Sequence, residues 1–522
     1  MESIVISRRR LLQTAALPAA ALSCRPVRRP NILFVVSDDQ SYPHAGVYGT
    51  QNVQTPAFDR IAREGVLFDN SFCNSPSCTP SRSSILTGLY PWQVKEAGVL
   101  YGTIPLKFPI VTHLLADAGY HTGFTGKGWG PGDWAAAGLT RHPNGKEYNS
   151  RLHAIPPRVG IDPRDYASNF SDFLRDRPKG APFFFWLGST EPHRAYAKGS
   201  GLASGHNLNE VKVPSYWPDT PEVRSDILDY ISEIEWFDVQ LARALGVLAS
   251  AGELENTLIV VTSDNGMPFA RSKVNLYDPG VHMPLAIRWG DRVSPGRRVS
   301  DFVQHSDLAP TFLEAAGLPV PRKFSGRSLL PILNSSSSGQ IEPARNFAIT
   351  GMERHVMARP DGATYPMRAL RTSEYLYIHN FAPERWPTGG PDFLSSNRTP
   401  HGDVDSAPSA DFMLLPESQA QYPESFSLCF GRRPSEEFYR LATDAEQVHN
   451  LASEASAQPA LLAYRNRLES LLRQTGDPRI EGKDPWQAYV YRQATGYGSS
   501  FNASLPEARR VAAREEPRHK PE

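Results

Sequence analysis

Three short runs in this chain carry only apolar side chains: Ile32-Leu33-Phe34-Val35-Val36, Phe183-Phe184-Phe185-Trp186-Leu187 and Leu258-Ile259-Val260-Val261. A strand with one wet face alternates polar and apolar positions. A run with no polar position must bury both faces, as a central strand does in a parallel sheet covered by helices on either side. Helical patterns fall between these runs. Thr55-Pro56 opens a helix through Phe58, Ile61 and Ala62 that Gly65 ends, and Ile110 to Ala118 forms another before Gly119. A short strand is expected near His121 to Thr125, and a further one from Pro284 to Trp289. Thr220-Pro221 begins a long helix whose apolar stripe is Ile227, Tyr230, Ile231, Ile234, Phe237, Leu241, Leu245 and Leu248, ending at Gly252. The alternation predicts an α/β fold over residues 31–335, with a large, mostly parallel sheet sandwiched by helices.

The run Asn334-Ser335-Ser336-Ser337-Ser338-Gly339 marks an exposed boundary. Beyond it, residues 345–480 read as a smaller α+β domain. Tyr365 to Arg371 and Glu374 to Ile378 are its antiparallel strands, and Pro459 opens a closing helix from Ala460 to Leu472. Ala382 to Tyr422 is rich in Pro, Ser, Asp and Gly and reads as long loops, and residues 481–522 as a tail. At 522 residues the chain has material for both domains.

Fifty-five basic and 55 acidic residues cancel, so no global field draws the chain to nucleic acid or an anionic membrane surface. An anionic substrate would have to be met by local cations. Four cysteines, at 24, 73, 78 and 429, do not make a disulfide framework, though a Cys73–Cys429 bridge is left open. Ser7-Arg8-Arg9-Arg10-Leu11-Leu12-Gln13 and the apolar run from Thr14 to Leu22 read as a twin-arginine export signal over residues 1–30. That run is too short for a transmembrane segment, and no other stretch is long and apolar enough to be one. Ala21-Leu22-Ser23-Cys24 is an imperfect lipidation box, which leaves a lipid anchor at Cys24 open. The expected destination is the periplasm or the cell surface.

Polar clusters follow the apolar runs. Ser37-Asp38-Asp39 comes after the first, Glu191-Pro192-His193-Arg194 after the second, and Ser263-Asp264-Asn265-Gly266 after the third. The carboxyl ends of parallel strands converge on one crevice, so residues far apart in sequence meet there. Asp38, Asp39 and Asp264 are hard oxygen donors and Asn265 a neutral one, a set suited to calcium or magnesium rather than zinc. Without a cation, three converging carboxylates would raise one another's pKa.

The segment Cys78-Thr79-Pro80-Ser81-Arg82, continued by Ser83-Ser84-Ile85-Leu86-Thr87-Gly88, resembles the sulfatase signature, whose first Cys is oxidised to formylglycine. With Phe72 to Gly88, Glu191 to Arg194, Ser263 to Phe269, Asn275 to Gly280 and Pro284-Leu285, the chain is similar to type I sulfatases of the alkaline-phosphatase-like superfamily. Within them it is most similar to the heparan N-sulfatase branch. The resemblance runs from Asn31 to about Asp477. It implies one calcium ion held by Asp38, Asp39, Asp264, Asn265 and the modified Cys78, and a formylglycine-generating maturase as a partner. Arg82 and Lys127 would grip the sulfate and the formylglycine hydrate, while His193 and Lys273 would face the sulfate and its leaving group.

The implied chemistry explains the residue types. A hydrated aldehyde attacks sulfur with one hydroxyl, the amine or alcohol leaves, and the second hydroxyl loses its proton so that the carbonyl reforms and sulfate is expelled. A helix led by Pro80 would turn its free N–H groups to the anion, and His193 would act as general acid. Two positions depart from the pattern. Gly126-Lys127-Gly128-Trp129 lacks the usual His, leaving Trp129 as a stacking wall for a sugar ring, and Lys273 stands where the N-sulfatase branch carries Arg. Further substrate contacts are expected from Glu191, Arg194 and His355. His305 reads as a helix-entry residue, His282 as either a turn residue or a flank of the site, and Cys73 as a packed thiol.

The expected function is therefore removal of sulfate from a sulfated saccharide, with N-sulfoglucosamine first. The alternatives are an O-sulfatase on another sulfated polysaccharide, a phosphodiesterase or phosphonate-ester hydrolase of the same superfamily, and a non-catalytic saccharide-binding protein. Superfamily phosphatases usually hold two zinc ions with a His where Asn265 stands, which favours the sulfatase.

Overall fold

A computed structural model describes residues 28–154, 158–395 and 399–492. Residues 1–27 of the expected export signal, Cys24 among them, and residues 493–522 of the expected tail lie outside these. The main sheet has eight strands: β1 (Asn31–Ser37), β2 (Val66–Phe72), β3 (His121–Gly126), β4 (Lys146–Glu147), β5 (Phe183–Gly188), β6 (Thr257–Ser263), β7 (His282–Arg288) and β8 (Arg297–Gln304). Their order across the sheet is β4-β3-β5-β1-β6-β7-β2-β8. Only β7 runs against its neighbours, pairing antiparallel with both β6 and β2. The three apolar runs are the three adjacent central strands β5, β1 and β6.

Successive residues of β1 serve two different cores. Ile32, Phe34 and Val36 pack beneath α3 (Val111–Asp117) and α6 (Leu308–Ala315). Leu33 and Val35 pack on the other face with α1 (Pro56–Arg63), α4 (Tyr166–Asp176) and α5 (Pro221–Ser250). All five side chains are fully buried, each worth about 1.5–3 kcal/mol by the apolar area removed from water.

A second, antiparallel sheet follows, of β9 (Ala348–Met352), β10 (Met367–Arg371), β11 (Tyr375–Asn380) and β12 (Glu436–Arg440), in the order β12-β11-β10-β9. One face, with Met367, Ala369 and Ile378, packs on Phe72, Val274 and Leu276 of the larger unit. The other, with Ile349, Leu370 and Tyr377, is covered by the helix Gln458–Gln474 through Leu461, Leu468 and Leu472.

Two expectations need correction. The stretch from Ala382 to Tyr422 is not all loop, because Pro408–Leu414 and Pro416–Gln421 are helical, each begun by a proline that needs no amide partner in a first turn. The tail does not begin at residue 481: Trp486 is buried beside the helix Gln458–Gln474, and the Arg492 amide donates to the Tyr101 carbonyl at 2.8 Å. The Cys73–Cys429 bridge left open above is not formed: both thiols are free and buried in separate clusters, with Cys73 packed as expected. No helix among the described residues is long and apolar enough to cross a membrane.

Candidate active site

Strand register assembles the site. Ser37 of β1 is level with Ser263 of β6, so Asp38-Asp39 and Asp264-Asn265 leave the sheet side by side. Val36 is level with Gly188 of β5, and Gly188 with Gly126 of β3, which brings the turn before His193 and the residue Lys127 to the same edge. The turns are locked together: the Asp38 amide donates to the Glu191 carbonyl at 3.0 Å, and the Asp264 amide to the Ser37 carbonyl at 3.1 Å. The Asp39 amide donates to Asp264 Oδ1 at 3.1 Å.

Cys78 reaches this edge from α2 (Cys78–Thr87), which follows β2. The helix starts at Cys78 rather than at Pro80. Pro80 sits in the first turn, where an amide has no acceptor within the helix, so the proline costs nothing there. Cys78 is thus the first helical residue, at the positive end of the helix. Its Sγ lies 3.2 Å from Lys127 Nζ and 3.6 Å from Asp38 Oδ1. Burial pushes the thiol pKa well up although Lys127 opposes it, so an unmodified Cys78 is a protonated, poor nucleophile.

Carboxylate oxygens of Asp38, Asp39 and Asp264 lie within 4.8 Å of one another. Three cations press on them. Arg82 Nε donates to Asp264 Oδ2 at 2.7 Å, Lys127 Nζ pairs with Asp38, and Lys273 Nζ lies 2.7 Å from Asp39 Oδ2. Burial would raise Asp38, but Lys127, His193, Arg82 and Lys273 hold it well below the usual carboxylate range. Asp264 goes the other way, pushed up to about 6 by burial and by the Asp38 charge. Two buried polar atoms here have no hydrogen-bond partner, Asn265 Oδ1 and Arg82 Nη2. The Asn265 amide donates Nδ2–H to Asp39 Oδ1 at 2.7 Å, and that bond leaves its oxygen as a further donor beside the three carboxylates. Such an all-oxygen set fits a hard divalent cation.

His193 is the half-open member of the cluster, its side chain 28 % exposed, with Nε2 3.7 Å from Asp39 Oδ2. Its Nδ1 lies 2.6 Å from the Arg194 carbonyl, an acceptor, so Nδ1–H donates there and Nε2 is the nitrogen turned to Asp39. His355 stands at the same edge, where its Nδ1 meets the hydroxyl of Ser77, the residue before α2, at 2.9 Å. Burial and then the Lys273 charge push His355 down to about 3, which keeps it neutral.

Three expected substrate contacts are corrected by the packing. Glu191 is fully buried, accepting from the Asp162 amide at 2.7 Å and from the Tyr166 and Ser189 hydroxyls, so it braces the turn before His193. Arg194 is turned inward to a two-bond pair with Asp226 at 2.7 Å and lies over the Phe269 ring. Trp129 is buried, and its indole N–H donates to Ser83 Oγ at 2.8 Å, so it backs α2 instead of walling a sugar. His305 meets Ser81 Oγ at 3.1 Å from the short turn before α6, in keeping with an entry role. His282 is buried and stacked between Tyr42 and Phe72.

One group was not expected. Asp405 reaches Lys273 Nζ at 3.1 Å, and no sequence signal singled it out from a Pro/Ser/Asp/Gly-rich stretch without periodicity.

The family comparison agrees with this geometry. The Sulfatase family model matches residues 30–318, and a model described as N-sulphoglucosamine sulphohydrolase, C-terminal, matches residues 271–385. The human N-sulphoglucosamine sulphohydrolase is 27 % identical over 501 residues, covering 88 % of this chain and 93 % of that protein. An ulvan-active sulfatase of Formosa agariphila is also 27 % identical, over 433 residues, covering 81 % of this chain and 76 % of that protein. Among solved structures, one in complex with its substrate D-glucosamine-2-N,6-O-disulfate superposes with a TM-score of 0.62 at 21 % identity, over 87 % of this chain and all of that one. A family model spanning more than half the chain, over a site built as described, places this protein in the sulfatase family, hydrolases of sulfate esters and sulfamates.

Proposed function

We propose that the chain removes sulfate from a sulfated glucosamine, N-sulfoglucosamine first, using a formylglycine made from Cys78 and one calcium ion. The observation that supports the substrate is the second family match over residues 271–385, together with likeness to the human N-sulphoglucosamine sulphohydrolase along nearly the whole of both chains. The motif Ser7 to Gln13 supports export of the enzyme.

Asp38, Asp39, Asp264 and Asn265 would hold the calcium, which when bound supplies charge that polarises a sulfate oxygen. A formylglycine hydrate at position 78 would supply one hydroxyl as nucleophile and a second whose deprotonation would free the sulfate. The chain's own groups do the rest. Lys127 Nζ, 3.2 Å from the position-78 sulfur, stabilises negative charge on whatever oxygen replaces it. Arg82 is fixed by bonds to the Lys127 and Gly128 carbonyls, which leaves Nη2 as a donor for an anion. His193 presents Nε2 toward the leaving nitrogen or oxygen, with its ring oriented by the Arg194 carbonyl. The triad's three carboxylates meet three cations, so a divalent ion leaves the site cationic and ready for an anion.

A second reading, an O-sulfated sugar, is favoured by Lys273, since lysine and arginine bind anions differently. Sulfate release from N-sulfoglucosamine and from O-sulfated glucosamines by the mature enzyme separates the two. Faster release from the N-sulfated sugar is expected. Preference for an O-sulfated sugar would transfer the assignment, and release from neither would contradict the saccharide substrate.

A further inference from the structure

Four charged or imidazole groups stand around the open side of the catalytic cluster, and they differ in how far they face solvent. The side chain of Lys273 is 4 % exposed and that of Asp39 fully buried, while His193 is 28 % and Asp405 24 % exposed. His355 is buried behind them against Ser77. An incoming sugar therefore meets His193 and Asp405 before anything else in the cluster.

Asp405 is held there by a built loop. Two residues earlier, Asp403 accepts from Arg359 Nη2 at 2.8 Å and from the Val356 amide at 3.0 Å, and its own amide donates to the Thr388 carbonyl at 3.0 Å. The Val404 amide donates to the His401 carbonyl at 2.9 Å, and His401 is fixed in turn by the Thr388 hydroxyl at 2.9 Å. Asp405 Oδ2 takes Lys273 Nζ, and among the described residues no donor takes Oδ1. The mouth of a site built for an anion thus carries a fixed carboxylate with one oxygen left for a hydrogen-bond donor.

That placement is costly for a substrate with a second anionic group near the scissile sulfate, because like charges brought together out of bulk water repel strongly. It suits a neighbouring hydroxyl, which donates to a carboxylate. Resting on the proposed action on sulfated glucosamine, we infer that Asp405 is a specificity-determining residue: it accepts a hydrogen bond from a hydroxyl of the sugar and selects singly sulfated over doubly sulfated glucosamine.

The test compares N-sulfoglucosamine, glucosamine 6-sulfate and glucosamine N,6-disulfate as substrates of mature wild type, Asp405→Asn and Asp405→Ser. Wild type is expected to favour its preferred singly sulfated sugar over the disulfate by at least about tenfold in kcat/KM. Both variants should close that gap, chiefly by gaining on the disulfate. In a Cys78→Ala background, which binds without turnover, the disulfate should raise the unfolding midpoint more once Asp405 is replaced. Loss of Lys273 support alone would slow all three sugars alike and leave their ratio in place. An unchanged ratio in folded variants of an active enzyme, or a wild-type preference for the disulfate, would overturn the role of Asp405 and leave the sulfatase reading standing. Release of sulfate from none of the three by wild type would instead overturn the substrate reading beneath it.

Discussion

An asparagine beside Asp264, where a two-zinc enzyme would carry histidine, decides which ion the crevice suits. Asn265 adds a neutral oxygen to three carboxylates and leaves it without a hydrogen bond, so the donor set is all oxygen. Asp264 is the weak member, with its pKa pushed up to about 6 by burial and Asp38. A cation that neutralises this crowding binds the folded state and not the unfolded one, so it stabilises by mass action, by about 2.7 kcal/mol at a hundred times its dissociation constant. Calcium is therefore expected to raise the unfolding midpoint of the purified protein, and chelation to reverse the rise. Asp264→Asn should abolish most of the calcium response while the variant still unfolds cooperatively. A response to zinc and none to calcium would contradict the assignment.

Element by element, positions set directly by a strand end were legible in the sequence. Asp38, Asp39, Asp264, Asn265 and His193 each follow a run that could only be a central strand, and strand ends converge. Five strands, β2, β4, β8, β9 and β12, are not legible in the sequence, and for β2 and β8 the reason is that their residues do not look buried. β2 reads Val-Leu-Phe-Asp-Asn-Ser-Phe, its alternation broken where the register slips between Phe68 and Ser71. β8 begins with two arginines and carries Asp301, whose carboxylate accepts from the Ile341 and Glu342 amides. Asp405 was out of reach for another reason: a long segment of the smaller unit presents it, and nothing local encodes where that segment lands. The end of β3 shows how tightly an element places one residue. Gly126 has φ +74°, and a Cβ there would stand 1.9 Å from the Gly188 carbonyl oxygen of β5, one residue before Lys127. Gly126→Ala must push the two strand ends apart and carry Lys127 Nζ off its position. A fall in kcat of about a hundredfold is expected, as for a misplacement near 1 Å, and steady-state kinetics on folded protein checks it. An unaltered kcat would show that the β3–β5 contact does not position Lys127.

At the scale of the whole molecule, the catalytic edge sits where the two sheets meet, and buried charge is spent well beyond it. Glu233 of α5 is fully buried, and neither carboxylate oxygen has a hydrogen bond, Arg158 Nη2 being 3.7 Å away. Burial, with the nearby Glu191, pushes its pKa up to about 8 from an ordinary 4.5. Between those values the folded protein holds a proton that the unfolded chain has lost, so stability falls as pH rises from about 4.5 to 8 and levels off above. The loss is on the order of 5 kcal/mol. Glu233→Gln should flatten that part of the profile and be the more stable protein at pH 8, as urea unfolding at pH 5 and pH 8 would read. Parallel profiles would mean that Glu233 ionises freely in the fold.

All of this serves one atom, the group at the start of α2. Lys127, Asp38 and the positive helix end surround position 78, while burial makes its thiol a poor nucleophile. The mass of the peptide containing Cys78, taken from a preparation that releases sulfate from a sulfated glucosamine, tests that most directly. The expected mass is that of an aldehyde, formylglycine, at position 78; sulfate release by protein in which that peptide is wholly an unmodified thiol would contradict the account.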